Sequence, residues 1–326
     1  MTNKPLKVGI VGTGYAAKKR AQALVSDRRI QLMVATGNTP ERLQSFCQSF
    51  GVEAADSWMR LVNQPELDLI FVCTVNRDCG AIAKAAILAG KHVVVEYPLA
   101  LEAKIAQEII DLAAANQKLL HVEHMEVIGG LHQAVKDCLP QIGKVFYARY
   151  STIRAQHPVQ KSWKYHRQMF GFPLAAALSR INRLTNLFGT VASVSCRDRY
   201  WDIQGTDYFS ACLCNAQLDF DNGIVAEVTY GKGDVFWHSQ RLLEIYGEQG
   251  NISFTGEKGI LTLQDNQSAI PVNPRRGLFA KDTDLVLNHL FEQQPLYIEP
   301  EASLYALKVA NAARDSARSH QTIYLS

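Results

Sequence analysis

Apolar residues recur along the first third of the chain in two alternating rhythms. Short β-branched runs bounded by turn residues predict strands at Lys7–Gly12, Ile30–Thr36, Leu67–Cys73, His92–Glu96 and Leu119–Glu123. Between them, apolar positions at helical spacing predict helices at Tyr15–Ser26, Pro40–Phe50, Arg77–Ala89 and Leu101–Asn116. Pro40 suits a first helical turn, and Gly90 a helix end. Strands and helices that alternate in this way predict a parallel sheet covered on both faces.

The rhythm changes after about residue 124. A helix at Ile128–Cys138 precedes a long alternating strand, Lys144–Arg154, then a loop rich in aromatics and cations, then a helix at Leu174–Phe188. Period-two patterns predict further strands at Val191–Tyr200, Asp207–Phe220, Ile224–Lys232, Arg241–Tyr246 and Asn251–Phe254, and a last helix covers Glu301–Arg318. Asp221-Asn222-Gly223 between two of these strands is a hairpin signal. The expected fold is therefore α/β, with a nucleotide-binding type of domain over 1–123 and a C-terminal α+β domain over 124–326 built on a large mixed or antiparallel sheet.

Composition narrows the class. A chain of 326 residues suits two domains, and 47% hydrophobic with 20% charged residues is ordinary for a globular protein. No apolar run approaches the ~20 residues that span a bilayer, and polar Met1–Lys7 carries no signal-peptide core, so the expected location is cytoplasmic. The seven cysteines are scattered without a Cys-x-x-Cys, which argues against a disulfide framework and against a metal site. Charge changes the picture more. The net charge is +3, yet between Cys138 and Arg197 there is no acid, while Lys144, Arg149, Arg154, Lys161, Lys164, Arg167, Arg180, Arg183 and Arg197 are all cationic. Such a stretch reads as an anion-binding surface, for nucleic acid, a membrane or a small acidic ligand.

Gly12-Thr13-Gly14-Tyr15-Ala16-Ala17 lies between the first predicted strand and helix, in the G-x-G-x-x-G/A pattern of a Rossmann domain. Gly12 allows the tight turn, Gly14 lets a diphosphate approach the backbone, and Ala17 lets helix and strand pack. NAD-preferring sites place an acid at the end of the second strand; here the chain reads Ala35-Thr36-Gly37-Asn38-Thr39-Pro40-Glu41-Arg42. Gly37 and Asn38 are expected to leave room for a 2′-phosphate and Arg42 to pair with it, with Lys18, Lys19 and Arg20 adding positive charge, so NADP(H) is predicted over NAD(H). Thr74, Asn76, Glu96 and Tyr97 are further candidate cofactor contacts. Glu96, Glu123, His124 and Glu126 sit at the ends of the fourth and fifth strands, where open parallel sheets bind ligands. Arg180 and Arg183, three residues apart, share a helix face opposite an apolar stripe of Leu174, Leu178, Ile181, Leu184 and Phe188.

The fingerprint, Thr39-Pro40-Glu41-Arg42, Ile82–Ala89 and Ala89-Gly90-Lys91-His92-Val93-Val94-Val95-Glu96 together resemble the Gfo/Idh/MocA oxidoreductases. That resemblance implies a Rossmann domain, a nicotinamide cofactor and a C-terminal sheet domain. Two departures stand out. Family members usually read Glu-Lys-Pro where this chain has Glu96-Tyr97-Pro98, and the sugar-oxidising pattern Asp-x-x-x-His-x-x-Asp falls on Ala176, Arg180 and Arg183. Alcohol oxidation needs a proton acceptor, a role for which tyrosine and arginine are poorly suited. The Tyr97 segment is similar to the biliverdin reductase branch, which implies NADPH-dependent reduction of biliverdin to bilirubin by hydride transfer to its central methine carbon. On that reading Arg183, Arg180, Tyr97 and Glu96 are catalytic, and Arg180, Arg183, Glu123, Glu126, His124, Lys164 and Arg167 bind a flat tetrapyrrole with two propionates. The partner is then a small molecule rather than nucleic acid or membrane, and the protein a monomer or homodimer. A sugar, inositol or dihydrodiol dehydrogenase and a non-catalytic NADPH-binding regulator are the competing readings.

Overall fold

The computed structural model describes residues 4–325. They form two compact units: one runs to Met125 and takes in Arg276–Leu304, and the other comprises Glu126–Arg275 and the chain from Tyr305.

The first unit carries six strands: β1 (Leu6–Val11), β2 (Ile30–Thr36), β3 (Glu53–Ala54), β4 (Leu69–Val72), β5 (His92–Glu96) and β6 (Leu120–Glu123). They pair in parallel in the order β3-β2-β1-β4-β5-β6, so the chain reverses direction across the sheet between β1 and β4. In such sheets ligands bind at the carboxyl ends beside this switch point. Central β4 is buried at every position, as expected of a strand covered on both faces. Val8, Ile10, Leu69, Phe71 and Val94 of the strands pack with Ala17, Ala21 and Leu24 of the helix Tyr15–Leu24.

Three elements here carry no clear sequence signal: the two-residue β3, a five-residue helix at Trp58–Val62, and the helix Leu278–Glu292. The last revises the expected boundary, because a division at 123/124 puts it in the second domain. Instead its Val286 and Leu287 are fully buried against Ala17, Ala21 and Leu24. Burying each of those two side chains contributes roughly 1.5–3 kcal/mol.

The second unit holds a nine-stranded sheet. Its strands are β7 (Val145–Ala155), β8 (Val191–Asp202), β9 (Phe209–Phe220), β10 (Val225–Gly233), β11 (Gln240–Gly247), β12 (Gly250–Thr255), β13 (Lys258–Leu263), β14 (Asn266–Ile270) and β15 (Ile323–Tyr324). Their order is β14-β13-β12-β11-β7-β10-β9-β8-β15; only β7 and β10 pair in parallel, which makes the sheet mixed. The hairpin between β9 and β10 turns on Gly223, whose φ of +85° favours glycine. β13 and β14 went unpredicted because their alternation is weak, and β14 is exposed at all but its last residue. Of the three helices predicted after residue 124, the last forms as one element, Pro300–Ser319, and the other two are broken in two. Ile128–Cys138 becomes Met125–Ile128 and Gly130–Cys138 around Gly129, and Leu174–Phe188 becomes Pro173–Ala176 and Ser179–Phe188.

Among the described residues, no helix is long and apolar enough to cross a membrane, and no group of three or more His, Cys, Asp or Glu side chains is placed to hold a metal ion.

Candidate active site

The cofactor cradle follows from three small residues. Gly12 has φ +120°, and a Cβ there would lie 2.1 Å from the carbonyl oxygen of Cys73, so no other residue fits. Gly14 precedes the helix Tyr15–Leu24, and a Cβ on it would meet nothing within 4 Å, which leaves its outer side open to a ligand. No side chain caps that helix and its first turn holds no acid, so its N–H groups and positive dipole end remain available to a diphosphate. Buried Ala17 keeps helix and sheet close. These features fit a dinucleotide. Thr13 and Ala16 are half-buried, Tyr15 is exposed, Thr74 is half-buried and Asn76 buried.

Gly37 and Arg20 do not sit as the cofactor reading expects. A Cβ on Gly37 would meet the Thr13 methyl at 2.8 Å, so this glycine lets two loops pack rather than opening room for a phosphate. Arg20 is fully buried and faces inward, where it is spent on carboxylates; Asn38 and Arg42, by contrast, are exposed at the end of β2 and the start of the next helix.

Arg20 anchors a polar network under the strand ends. Its Nε donates to Glu96 Oε1 at 2.8 Å, and its Nη1 donates to Asp282, to Thr283 Oγ1 at 3.0 Å and to the Phe279 carbonyl at 3.3 Å. Asp282 Oδ1 also receives Tyr297 Oη–H at 2.5 Å and lies 3.0 Å from His121 Nε2. Burial alone would raise the Asp282 carboxyl, but Arg20, His121 and Tyr297 outweigh it and hold the group well below the ordinary carboxylate range. Glu96 and Glu123 are neighbours across β5 and β6, and Glu123 accepts the Met125 N–H at 3.0 Å. His124 is buried; its Nε2 lies 2.9 Å from Ser303 Oγ and its ring stacks on Tyr97 with centroids 5.2 Å apart. His124, named as a substrate contact, thus backs the half-buried Tyr97.

In the second unit the two helix arginines differ. Arg183 is 2% exposed, and its Nε and Nη1 are buried with no hydrogen-bond partner. Its guanidinium lies 5.8 Å from the Tyr150 ring centroid. Arg180 is half-buried, donates to Ser179 Oγ at 3.0 Å and lies 5.5 Å from the Tyr230 ring. The predicted apolar stripe is buried throughout, yet Arg183 is buried with it instead of standing on a solvent face. Glu126 accepts Asn182 Nδ2–H at 2.9 Å, and His132 pairs with Asn186 at 2.9 Å. Burial, then Arg183, push His132 down to about 4, so it is neutral near pH 7. Lys164 is exposed, and its carbonyl accepts the buried Lys232 amine, which also lies 3.2 Å from the Phe170 ring centroid. Arg167 is engaged bidentately by Asp202, at 2.9 and 2.6 Å, over the Tyr200 ring. A carboxylate ligand at Arg167, named as a substrate contact, would have to displace Asp202.

Sequence reasoning missed Asp282, His121, Tyr297 and Ser303, and it missed Tyr150. Buried Asp282 and His121 are marked as a pair only once the fold brings them together.

Comparisons with known proteins match this geometry. Residues 6–124 match the family model described as oxidoreductase family, NAD-binding Rossmann fold, and residues 136–325 match that of the oxidoreductase family, C-terminal alpha/beta domain. The crystal structure of biliverdin reductase in complex with biliverdin and NADP+ from Synechocystis sp. PCC 6803 is 50% identical, covers 97% of this chain and 100% of its own, and superposes with a TM-score of 0.95. Biliverdin reductase A of Mus musculus is 24% identical over 309 residues, 93% of each chain. The UDP-N-acetylglucosamine 3-dehydrogenase of Acidithiobacillus ferrooxidans shares the fold, with a TM-score of 0.78 at 18% identity over 97% of this chain and 98% of its own. With both halves matched and a cradle built for a dinucleotide, the chain belongs to the Gfo/Idh/MocA oxidoreductase family and is an NAD(P)-dependent oxidoreductase.

Proposed function

We propose that this oxidoreductase reduces biliverdin with NADPH. The observation that carries the reading is the likeness to the Synechocystis reductase, at 50% identity along essentially the whole chain. Two local features support it. Tyr97 and the arginine pair Arg180 and Arg183 stand where sugar-oxidising relatives keep lysine, histidine and acid, so no residue at those positions suits removal of a hydroxyl proton. Arg183 also holds buried donors that no protein group uses, as an anion receptor would.

When bound, NADPH supplies hydride for the central methine carbon. Gly12, Gly14 and the following helix hold the diphosphate, and exposed Arg42 pairs with the 2′-phosphate. Arg183 stabilises the negative charge that arrives on the tetrapyrrole, and Arg180 receives a propionate. Tyr97, braced by His124 and Ser303, positions the reacting face, while Arg20 donates its Nε to Glu96 and fixes the orientation of that side chain.

The test is to mix purified protein with NADPH and biliverdin, and separately with NADP+ and a panel of polyols. The reading expects the blue-green pigment to turn yellow and no polyol to reduce the cofactor. Polyol oxidation without pigment conversion would transfer the chain to the dehydrogenase branch.

A further inference from the structure

Reduction of a bilin needs a proton as well as a hydride, and the groups named so far do not supply one. Arginine stays ionised at any working pH and is a poor acid. The second unit holds a better one. Tyr150 lies on β7 at an inward-facing position, paired in register with buried Val228 on β10 and Leu243 on β11, and is 4% exposed. Three guanidinium groups surround it. Arg183 approaches its ring from the helix Ser179–Phe188, Arg180 acts on it from the same helix, and Arg241 of β11 is within hydrogen-bonding reach of its oxygen. His132, on which Arg183 also acts, is neutral near pH 7 and adds no charge of its own. The largest charges acting on this phenol, Arg183, Arg180 and Arg241, are all cationic.

We propose that Tyr150 is the acid that protonates the pyrrole nitrogen of the bilin, an assignment that rests on the function proposed above. Hydride adds to the central methine carbon and brings two electrons. The π pair of the methine shifts to the adjoining ring nitrogen, which takes the Tyr150 proton as the O–H bond breaks. The phenolate left behind faces Arg183, Arg180 and Arg241, and a proton from water restores the phenol. The substrate gains one hydride and one proton in all. Burial by itself would raise this phenol, but Arg183, Arg180 and Arg241 outweigh burial and lower it to about 8. It therefore releases a proton more readily than an ordinary tyrosine at ~10. The same cations stabilise the product of that release, so acid strength and charge stabilisation have one source.

The sign of the pH effect follows. A donor must be protonated, so turnover falls as the pH rises through about 8. In Tyr150→Phe that basic limb disappears and kcat drops roughly 100-fold, a typical loss for one acid group, while KM for biliverdin stays near the wild-type value. A fluorinated tyrosine inserted at 150 keeps the shape and lowers the phenol pKa, so it moves the limb to lower pH even if the phenylalanine variant folds poorly. An independent readout needs no turnover: in protein free of cofactor, ultraviolet tyrosinate absorbance should show one phenol titrating near pH 8 that Tyr150→Phe lacks. Failure of the wild-type protein to reduce biliverdin overturns the proposed function and the acid role with it. A working wild-type reductase whose Tyr150→Phe variant keeps the rate and the limb overturns the acid role alone.

Discussion

Two buried arginines in this protein use their donors to different extents. Arg20 gives its Nε and Nη1 to Glu96, Phe279, Asp282 and Thr283 and leaves Nη2 unmatched, whereas Arg183 leaves both Nε and Nη1 unmatched. An unmatched buried donor costs ~1–3 kcal/mol, so a folded chain keeps one where a ligand repays the loss. Arg183→Ala should therefore lower kcat on biliverdin by roughly 100- to 1,000-fold, the usual cost of one charge-stabilising donor, without lowering the unfolding midpoint; steady-state kinetics and thermal unfolding together check this. The glycines make a second contrast. Gly14→Ala meets open space and should leave thermal stability within about 0.5 kcal/mol while raising KM for NADPH at least tenfold. Gly12→Ala drives a methyl into the Cys73 carbonyl at φ +120° and should lower stability as well as cofactor binding. The fingerprint glycines were readable from sequence because a turn geometry imposes them. Tyr150 was not, because an alternating strand places tyrosines inward for packing far more often than for chemistry.

Helices and strands set which charges are free. The run from Cys138 to Arg197 contains no acid, and read alone it predicts nine unopposed cations. The sheet brings acids to it from outside the run: Glu244 of β11 pairs with Arg149 of β7, and Asp202 at the end of β8 pairs with Arg167. Strand register decides the first pair and the docking of the short helix Arg167–Phe170 beside the sheet decides the second, and a linear charge count sees neither. The helix Leu278–Glu292 shows the same limit. Its apolar pattern is short of context, and its role becomes visible only when Asp282 meets Arg20 and His121 on the first unit's strands and helix. Asp282→Asn leaves a buried guanidinium partly unopposed and should cost about 3–5 kcal/mol of stability, measured by urea unfolding. Because the folded Asp282 carboxyl lies below its unfolded value, its stabilisation is complete above the ordinary carboxylate pKa of ~3.9 and is lost as pH falls through the lower folded value. Acid titration of the melting temperature should thus fall more steeply below about pH 4 in the wild type than in the variant.

At the scale of the whole molecule, the α/β class, the mixed second sheet and the nicotinamide cofactor were all legible, since alternation, hairpin chemistry and the glycine turn each leave local marks. The division of the chain was not, because Arg276–Leu304 returns to the first unit after a long excursion. Cofactor choice also belongs here: Arg42→Ala should raise KM for NADPH while leaving KM for NADH unchanged, because only the former carries a 2′-phosphate. The most direct test of the central claim is isotopic. With NADPH deuterated at its reactive position, the account predicts a yellow product carrying one deuterium at the carbon that bridges the two central rings, with one cofactor consumed per pigment. Absence of deuterium from that carbon, or cofactor oxidation with the pigment unchanged, would contradict it.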